Sequence, residues 1–325
     1  MPKPRVFVTR ILLDKGMQMI REFCDAEFWQ EDLPPSRETL LDRVQGKDGL
    51  LPLLTDIIDL EVMQAAGKNL KVISNHAVGY DNIDIAAATK LGIPVGNTPG
   101  ILTDATADFT FCLLLNAARR ITEADRYVRT GKWKTWSPAL LLGADLSSAT
   151  LGIIGFGRIG QAVSRRAEGF NLKIIFHDPN RNEPVPGLNA SPVDLDTLLH
   201  QSDFISMHTP LTTQTHHMIN AASFNKMKTT AILINTARGG VVDPAALYTA
   251  LKDHRIQAAA LDVTEPEPIP LDSPLLELDN LIICPHIASA SNSTRARMSI
   301  MAAENLIAGL KGEKLPNCVN PEVYD

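Results

Sequence analysis

The sequence predicts an α/β protein built from two doubly wound parallel-sheet domains. Short apolar runs alternate along the chain with amphipathic stretches, which is the pattern of parallel strands covered by helices. The chain has 325 residues, 45% of them hydrophobic, which is enough for two separate cores. A glycine-rich turn between two apolar runs in the middle of the chain is the third indication.

The first hundred residues predict one of the two sheets. Apolar runs indicate five strands, at residues 6–9, 26–29, 49–53, 71–74 and 94–96. Helical periodicity predicts helices between them at residues 13–23, 37–44 and 60–66. A long helical stretch over residues 103–130 then leads through the tryptophan segment GKWKTW to a second series of strands.

The second series predicts a larger sheet. Six apolar runs indicate strands at residues 150–154, 173–177, 204–208, 232–235, 258–262 and 281–284. A final helix is predicted at residues 293–311, and the tail LPNCVN could return to the first domain. Because chain termini often lie close together, we predict one discontinuous domain, residues 1–100 with 291–325, and a second domain, residues 101–290.

Charge and cysteine usage exclude several classes of protein. The net charge is −6 and the basic residues are scattered, so nucleic acid is not an expected partner. Asp14 and Lys15 interrupt the N-terminal segment before any long apolar core, so we expect neither a signal peptide nor a membrane span. We therefore expect a cytoplasmic protein. The cysteines lie far apart without a CxxC pair, and no metal site is predicted.

Residues 150–178 predict a dinucleotide-binding unit. In the turn GFGRIG, Gly155 permits the tight turn, Gly157 lets the backbone approach a pyrophosphate, and Gly160 lets helix and strand pack closely. The helix that follows presents its positive N-terminus to that pyrophosphate. Asp178 ends the next apolar strand, where it would accept hydrogen bonds from the adenosine ribose hydroxyls. We therefore predict NAD, with NADP left open by Arg181 three residues later.

Polar residues after later strands indicate chemistry at the same edge of this sheet. Arg238 follows the run AILINTA, Glu267 lies in the loop EPEP, and His286 closes LIICP. Arginine can grip a substrate carboxylate, histidine can protonate a keto oxygen, and a carboxylate can keep the imidazole protonated. This set suits reduction of a 2-keto acid by a nicotinamide cofactor. Spacing alone leaves Glu265 open as the acid, and gives His216 and His217 no functional placement.

The motifs GFGRIG, NTARGGVVD, LDVTEPEP and CPHIASAS resemble those of the D-specific 2-hydroxyacid dehydrogenase family over nearly the whole chain. SNHAVGYDNIDI, NTPGILTDATAD and GKWKTW are most similar to its glyoxylate/hydroxypyruvate reductases. The resemblance implies a Rossmann NAD-binding domain, a smaller flavodoxin-like substrate domain, and NAD(P)H-dependent reduction of glyoxylate or hydroxypyruvate to the D-2-hydroxy acid. It implies Arg238 as carboxylate anchor, His286 as general acid, and Glu267 rather than Glu265 as the partner of the histidine.

The same resemblance implies further contacts. Leu53 and the backbone amides of Val78 and Gly79 would meet the substrate, although their loop could instead be a simple turn capped by Asp81. Trp136 would reach the active site of the partner subunit in a homodimer. Cofactor contacts besides the glycines and Asp178 are implied at Thr106, Arg158, Ile159, His208, Thr209, Pro210, Thr215, Thr236, Ala237, Asp262 and Ser289.

Other functions remain alternatives. Phosphite dehydrogenases resemble this chain in their arginine, glutamate and histidine, but they carry a lysine in the substrate loop, which here reads AVGY. Phosphoglycerate is another possible substrate. An NAD-sensing corepressor would use the same fold to bind partner peptides, but the chain has no low-complexity tail of the kind that carries such interactions. Glyoxylate reductases that use NADPH tend to carry small or basic residues at the position of Asp178, so the aspartate of this chain departs from their pattern.

Overall fold

The structure is a computed structural model that describes residues 2–325. Its contacts divide the chain into two compact units. Unit 1 comprises the chain up to Leu102 together with Ala290–Asp325, and unit 2 comprises Thr103–Ser289. Unit 1 contains a 5-stranded sheet and unit 2 a 7-stranded sheet, and every strand pair in both is parallel. The predicted fold class is confirmed.

Unit 1 orders its strands β2-β1-β3-β4-β5. The strands are β1 (Arg5–Val8), β2 (Asp25–Phe28), β3 (Gly49–Leu51), β4 (Val72–Ser74) and β5 (Val95–Gly96). The helices between them are α1 (Asp14–Phe23), α2 (Arg37–Arg43), α3 (Leu60–Ala66) and α4 (Ile85–Lys90). All five predicted strands and three predicted helices are present with small differences at their ends. Helix α4 was not predicted, because its 6 residues carry too little periodicity.

The C-terminal helix, Asn292–Lys311, and the tail complete unit 1. Gly309 lies so close to β4 that a Cβ there would be 2.5 Å from the Cβ of Val72. Beyond the helix, the tail pairs antiparallel with β5 through Cys318 and Gly96. The amide of Val319 donates to the carbonyl of Val95 at 2.8 Å, so the end of the chain extends this sheet.

Unit 2 orders its strands β12-β11-β10-β9-β6-β7-β8. The strands are β6 (Thr150–Ile154), β7 (Lys173–His177), β8 (Ala190–Pro192), β9 (Phe204–Met207), β10 (Ile232–Asn235), β11 (Ala258–Leu261) and β12 (Leu281–Ile283). All six predicted strands are present. Strand β8 was not predicted, because it is a short edge strand with only Ala190 buried and therefore shows no apolar run.

The prediction of one long helix over residues 103–130 is wrong. The segment forms α5 (Thr103–Arg119) and α6 (Ile121–Arg129), which are separated by Arg120 in the left-handed region at φ 54°. The Arg120 guanidinium bonds Glu123 at 2.7 Å, which holds the break. Helical periodicity continues through this break, so the sequence pattern does not reveal it. The remaining helices are α7 (Arg158–Glu168), α8 (Leu195–Gln201), α9 (Ala221–Lys226) and α10 (Pro244–Lys252).

None of the helices within residues 2–325 combines the length and the apolar character that a bilayer crossing requires.

Substitution Gly309→Ala tests the close packing of the C-terminal helix on β4. In an open helix this change is stabilising by about 1 kcal/mol, because glycine is a poor helix former. Here the new methyl would overlap Val72, so we expect a loss of about 1–3 kcal/mol in the free energy of unfolding, measured with urea. The control is Gly169→Ala, where the methyl would lie 3.5 Å from the Arg166 carbonyl. Equal stability of the two variants would contradict the packing argument.

Candidate active site

The glycine turn lies between β6 and α7, and a glycine is favoured at each of its three positions for a different steric reason. Gly155 has φ 87°, and a Cβ there would lie 2.7 Å from the backbone of His208. A side chain at Gly160 would overlap the carbonyl of Gly155, so this glycine allows close packing of helix and strand. A Cβ at Gly157 would meet no heavy atom of the described residues within 4 Å, so the space in front of the turn is open.

Asp178 follows β7, and its carboxylate faces the glycine turn. Its Oδ2 accepts the amide of Phe156 at 2.8 Å, and its Oδ1 accepts the amide of Asn180 at 2.9 Å. Arg181 is exposed at the end of the turn that follows β7. The open cradle at Gly157, the N-terminus of α7 and the nearby carboxylate are a set of groups that fits a dinucleotide.

His286 and Glu267 form a close pair in unit 2. Nδ1 of His286 lies 2.6 Å from Oε1 of Glu267, and the Glu267 Oε2 accepts the amide of Thr264 at 3.3 Å. Partial burial alone would raise the pKa of the Glu267 carboxyl, but the hydrogen bond and the charge of His286 outweigh it and hold that pKa below its usual value. Glu267 is therefore a carboxylate near neutral pH, and it fixes the imidazole through Nδ1.

Asp262 determines the backbone around His286. It is buried at the end of β11, where its carbonyl accepts the amide of His286 at 2.9 Å. Its two carboxylate oxygens accept the amides of Ile287 at 2.8 Å and Ala288 at 2.7 Å. Burial raises the pKa of Asp262, and the two amide hydrogen bonds oppose that rise. These three bonds stabilise the left-handed backbone of His286, at φ 55°.

Arg238 follows β10 and lies next to the loop that carries Glu267. Its carbonyl accepts Nδ2 of Asn235 at 2.8 Å. The next residue, Gly239, is packed so tightly that any side chain would overlap the carbonyl of Thr264. This close approach brings the Arg238 positive charge near Glu267, where it contributes to lowering the pKa of the carboxyl. Unit 2 therefore brings the three predicted catalytic residues together.

The other predicted cofactor residues of unit 2 lie mostly at the carboxyl ends of strands. Thr106 and Thr236 are linked through Thr110, whose Oγ1 donates to the Thr106 carbonyl at 2.8 Å and lies 2.9 Å from the Thr236 Oγ1. Positions at or near strand ends are His208, Thr209 and Pro210 after β9, Ala237 after β10, and Ser289 after β12. Arg158 and Ile159 open α7 beside the glycine turn.

Thr215 and His208 are engaged within their own loops. The Thr215 Oγ1 donates to the carbonyl of Pro210 at 2.6 Å, so this hydroxyl closes the loop after β9. Nε2 of His208 lies 2.8 Å from Oγ of Ser206. Burial lowers the pKa of His208 to about 3, so its imidazole is neutral at ordinary pH. A neutral ring is suited to lining a pocket.

In unit 1, a buried polar network connects the two loops predicted to meet the substrate. Nδ2 of Asn82 donates to the carbonyls of Leu53 and Asp56, each at 3.0 Å. Its Oδ1 accepts Nδ2 of Asn75 at 3.0 Å, and the same Asn75 nitrogen donates to the Gly79 carbonyl at 3.0 Å. The Asp56 Oδ2 accepts the amide of Leu53 at 2.7 Å. Sequence reasoning missed this network, although the polar residues in SNHAVGYDN signalled it.

The peptide groups of Val78 and Gly79 are held by their carbonyls. Nδ2 of Asn97 donates to the Val78 carbonyl at 2.8 Å, and Asn75 holds that of Gly79. Within residues 2–325, neither amide donates to another protein acceptor. This leaves two backbone donors for a ligand. The helix after this loop, α4, is capped by Asp84 and not by Asp81.

Trp136 lies in the segment after α6, and it is 78% exposed. Trp133 nearby is 57% exposed, and no residue of α6 is buried. Large exposed apolar side chains grouped in one segment are typical of interaction surfaces.

A family model described as "D-isomer specific 2-hydroxyacid dehydrogenase, NAD binding domain" matches residues 111–288. The chain belongs to this family. A glyoxylate reductase of Korarchaeum cryptofilum is 54% identical over 323 residues, which cover 99% of this chain and 97% of that relative. A glyoxylate reductase of Thermofilum pendens is 53% identical over 327 residues, covering 99% and 96%. The resemblance to this family and to its glyoxylate reductases is confirmed.

Solved structures share the fold over nearly the whole chain. A protein from Thermus thermophilus superposes with a TM-score of 0.91 at 47% identity, covering 97% of this chain and 99% of that one. An NADPH-dependent glyoxylate/hydroxypyruvate reductase from Sinorhizobium meliloti, in complex with NADP and malonate, gives 0.86 at 30% identity and covers 98% of each chain. The family and its cofactor class, a nicotinamide dinucleotide, follow from these similarities.

His76, which lies just before the Val78 loop, makes the stability of the folded protein depend on pH. It is buried, with Nε2 at 3.3 Å from Oγ of Ser299. Burial, together with the positive charge of Arg295, lowers its pKa from the usual 6.5 to about 4. The unfolded chain takes up the proton more readily than the folded one, so stability is full above pH 6.5 and falls as the pH drops toward 4.

Substitution His76→Gln should remove this part of the acid sensitivity. Between pH 6.5 and 4, the wild type should lose up to about 3 kcal/mol more than the variant in the free energy of unfolding. Urea titrations at several pH values measure the difference. The control is His254→Gln, at an exposed histidine, which should follow the wild type. Parallel curves for wild type and His76→Gln would contradict the assignment.

Proposed function

We propose that this protein is an NAD-dependent reductase of small 2-keto acids, with glyoxylate or hydroxypyruvate as substrate. The observation that carries the proposal is the His286–Glu267 pair, at 2.6 Å, with the charge of Arg238 beside it. Membership of the D-isomer specific 2-hydroxyacid dehydrogenase family supports it, as does the similarity to glyoxylate reductases at 54% and 53% identity.

Arg238 is proposed to anchor the substrate carboxylate. Its planar guanidinium can donate two parallel hydrogen bonds to a carboxylate, which fixes the orientation of the adjacent keto group. Its extended backbone is held by Asn235, and the packing of Gly239 leaves the loop little freedom. In unit 1, Leu53 and the amides of Val78 and Gly79 are proposed to contact the substrate as well. The two amides would form a compact nest for a carboxylate.

His286 is proposed as the general acid. Glu267 binds Nδ1, so Nε2 is the ring nitrogen left to donate a proton to the keto oxygen. The same contact fixes the orientation of the ring, so Nε2 keeps one direction. A bound nicotinamide supplies the hydride that reaches the keto carbon. The carbon thus gains the hydride, the oxygen gains the proton, and a 2-hydroxy acid results.

NAD is proposed as the cofactor because of Asp178. Its carboxylate lies at the glycine turn, and each oxygen retains a lone pair beyond its bond to a backbone amide. It can therefore accept the ribose hydroxyls, and its negative charge repels the 2′-phosphate of NADP. The glycine turn, the Thr106–Thr110–Thr236 chain, and the residues after β9, β10 and β12 are proposed to line the remainder of the cofactor site.

We further propose a homodimer in which Trp136 contacts the partner subunit. The exposure of Trp136 and Trp133 supports this proposal.

A steady-state assay tests the function directly. Purified protein should oxidise NADH in the presence of glyoxylate or hydroxypyruvate, with a kcat/KM higher than for pyruvate. Phosphite with NAD should give no turnover, because the substrate loop lacks a lysine. Absence of turnover with every small 2-keto acid, with either NADH or NADPH, would refute the proposal.

Substitution His286→Ala tests the general acid. It should lower kcat roughly a hundredfold to ten-thousandfold and leave NADH affinity nearly unchanged, because it removes a proton donor and no cofactor contact. Stopped-flow turnover and NADH fluorescence titration measure the two quantities. The control is His200→Ala, at an exposed histidine of the same unit. Lost NADH affinity with a normal kcat would show that His286 has another role.

Substitution Asp178→Asn tests the choice of cofactor. The amide oxygen can still accept the Phe156 amide, while the charge that repels a 2′-phosphate is removed. The ratio of kcat/KM for NADH to that for NADPH should fall about tenfold or more. Asp272→Asn, at an exposed position of the same unit, should leave the ratio unchanged. An unchanged ratio in Asp178→Asn would assign cofactor preference to other residues.

A further inference from the structure

A second group of chemically reactive side chains lies in unit 2 outside the acid pair. Nε2 of His216 is 3.3 Å from Oε1 of Glu265, and Nε2 of His217 is 2.5 Å from Oε2 of the same carboxylate. Ligand atoms from these three residues all lie within 4.8 Å of one another. The two imidazole rings are stacked, with centroids 3.9 Å apart and planes 21° from parallel. Two nitrogens and a carboxylate thus converge on one point.

The backbone holds both histidines in place. The amide of His216 donates to the carbonyl of Thr212 at 2.9 Å, and the amide of His217 donates to that of Gly240 at 2.8 Å. The carbonyl of His217 accepts Nδ2 of Asn220 at 3.2 Å. His217 has a left-handed φ of 50°, which few residues other than glycine adopt. The convergence of the two rings therefore follows from a specific, well-anchored turn.

The opposite side of the cluster is equally constrained. A Cβ on Gly240 would lie 3.1 Å from Oε1 of Glu265, so the glycine gives this carboxylate slightly more space than a side chain would. Partial burial would raise the pKa of Glu265, but hydrogen bonds from His217 and His216 outweigh it and hold that pKa below its usual value. The side chains are 50%, 35% and 35% exposed for His216, His217 and Glu265, so an ion can reach them from solvent.

We propose that His216, His217 and Glu265 bind a divalent transition-metal ion of the Zn²⁺ class. Two imidazole nitrogens and one carboxylate oxygen are a set of three protein ligands that Zn²⁺ accepts, with water in the fourth position. No residue of the set belongs to the acid pair or to the proposed substrate and cofactor contacts. The proposal therefore stands independently of the proposed function.

Metal binding requires the side chains of the cluster to adjust. Ligands about 2.1 Å from a tetrahedral ion stand about 3.4 Å from each other. His216 already lies 3.3 Å from Oε1 of Glu265, His217 must move away from Oε2, where the distance is 2.5 Å, and all three ligand atoms start within 4.8 Å of one another. The half-exposed Glu265 side chain has room to move outward. Without the ion, the same contacts are hydrogen bonds that keep the ligands together.

An ion at this site would tie two loops together. Glu265 lies two residues before Glu267. The amide of Thr264 donates to the carboxylate of Glu267, and this bond closes the loop that contains Glu265. The metal would therefore join the turn of His216 and His217 to the loop that carries the partner of His286. We assign it the role of a clamp on that loop rather than a role in the chemistry.

Calorimetric titration of the chelator-treated, full-length protein with Zn²⁺ tests the site. One ion should bind per chain. His216→Gln and His217→Gln should each weaken binding by about 100-fold or more, because losing a ligand costs at least as much as losing an outer-shell partner of one. The matched control is His254→Gln, at an exposed histidine of the same unit, which should keep the wild-type affinity. Unchanged affinity in both ligand variants would overturn the proposal, and thermal melting without metal verifies that each variant is folded.

Two further measurements locate the ion. Electron paramagnetic resonance of the wild type with one equivalent of Cu²⁺ should show coupling to two imidazole nitrogens, and a single nitrogen would overturn the proposal without any variant. Zn²⁺ affinity in His286→Gln should equal that of the wild type. Loss of binding there, with binding retained in His217→Gln, would place the ion at the acid pair and refute the site.

Discussion

The hydrogen bonds of buried Asp262 are the interaction on which the candidate site depends. Its carbonyl and both carboxylate oxygens accept three successive backbone amides, those of residues 286–288. A buried carboxylate must be well satisfied by hydrogen bonds, and here that requirement is met by bending the chain after β12. The bend places His286 in a left-handed conformation with Nδ1 on Glu267. A protein without this carboxylate would leave the amides of Ile287 and Ala288 unmatched and the backbone after His286 less firmly held.

A second constraint is the close approach of two loops. Gly239 lies against the carbonyl of Thr264 with no space for a side chain, and Gly240 leaves room for Glu265. The packing of these two loops thus positions two pairs of groups at once. It places the charge of Arg238 near Glu267, and it aims the carboxylate of Glu265 at His216 and His217. The proposed acid pair and the proposed metal site share this loop, although their ligand sets are separate.

Much of the fold follows from local sequence pattern. The strands of unit 2 are nearly continuous apolar runs, because both faces of a parallel sheet are buried, and such runs are easily recognised. The elements that the sequence pattern did not reveal were missed for physical reasons. Edge strand β8 buries one residue, α4 is shorter than the periodicity needed to detect it, and the break at Arg120 leaves the helical pattern intact. Burial and left-handed backbone angles of this kind are properties of the packed chain.

The sequence by itself determined the fold class and the types of residue that stand at the strand ends, because these depend on local order and composition. The family followed from the resemblance of its motifs. It could also propose Glu267, although from spacing alone Glu265 was equally eligible. Tertiary structure decided that question of contact: Glu267 meets His286, and Glu265 meets His216 and His217. The two glutamates are separated by one proline in the chain, and only the packing of loops distant in sequence directs their carboxylates to different histidines.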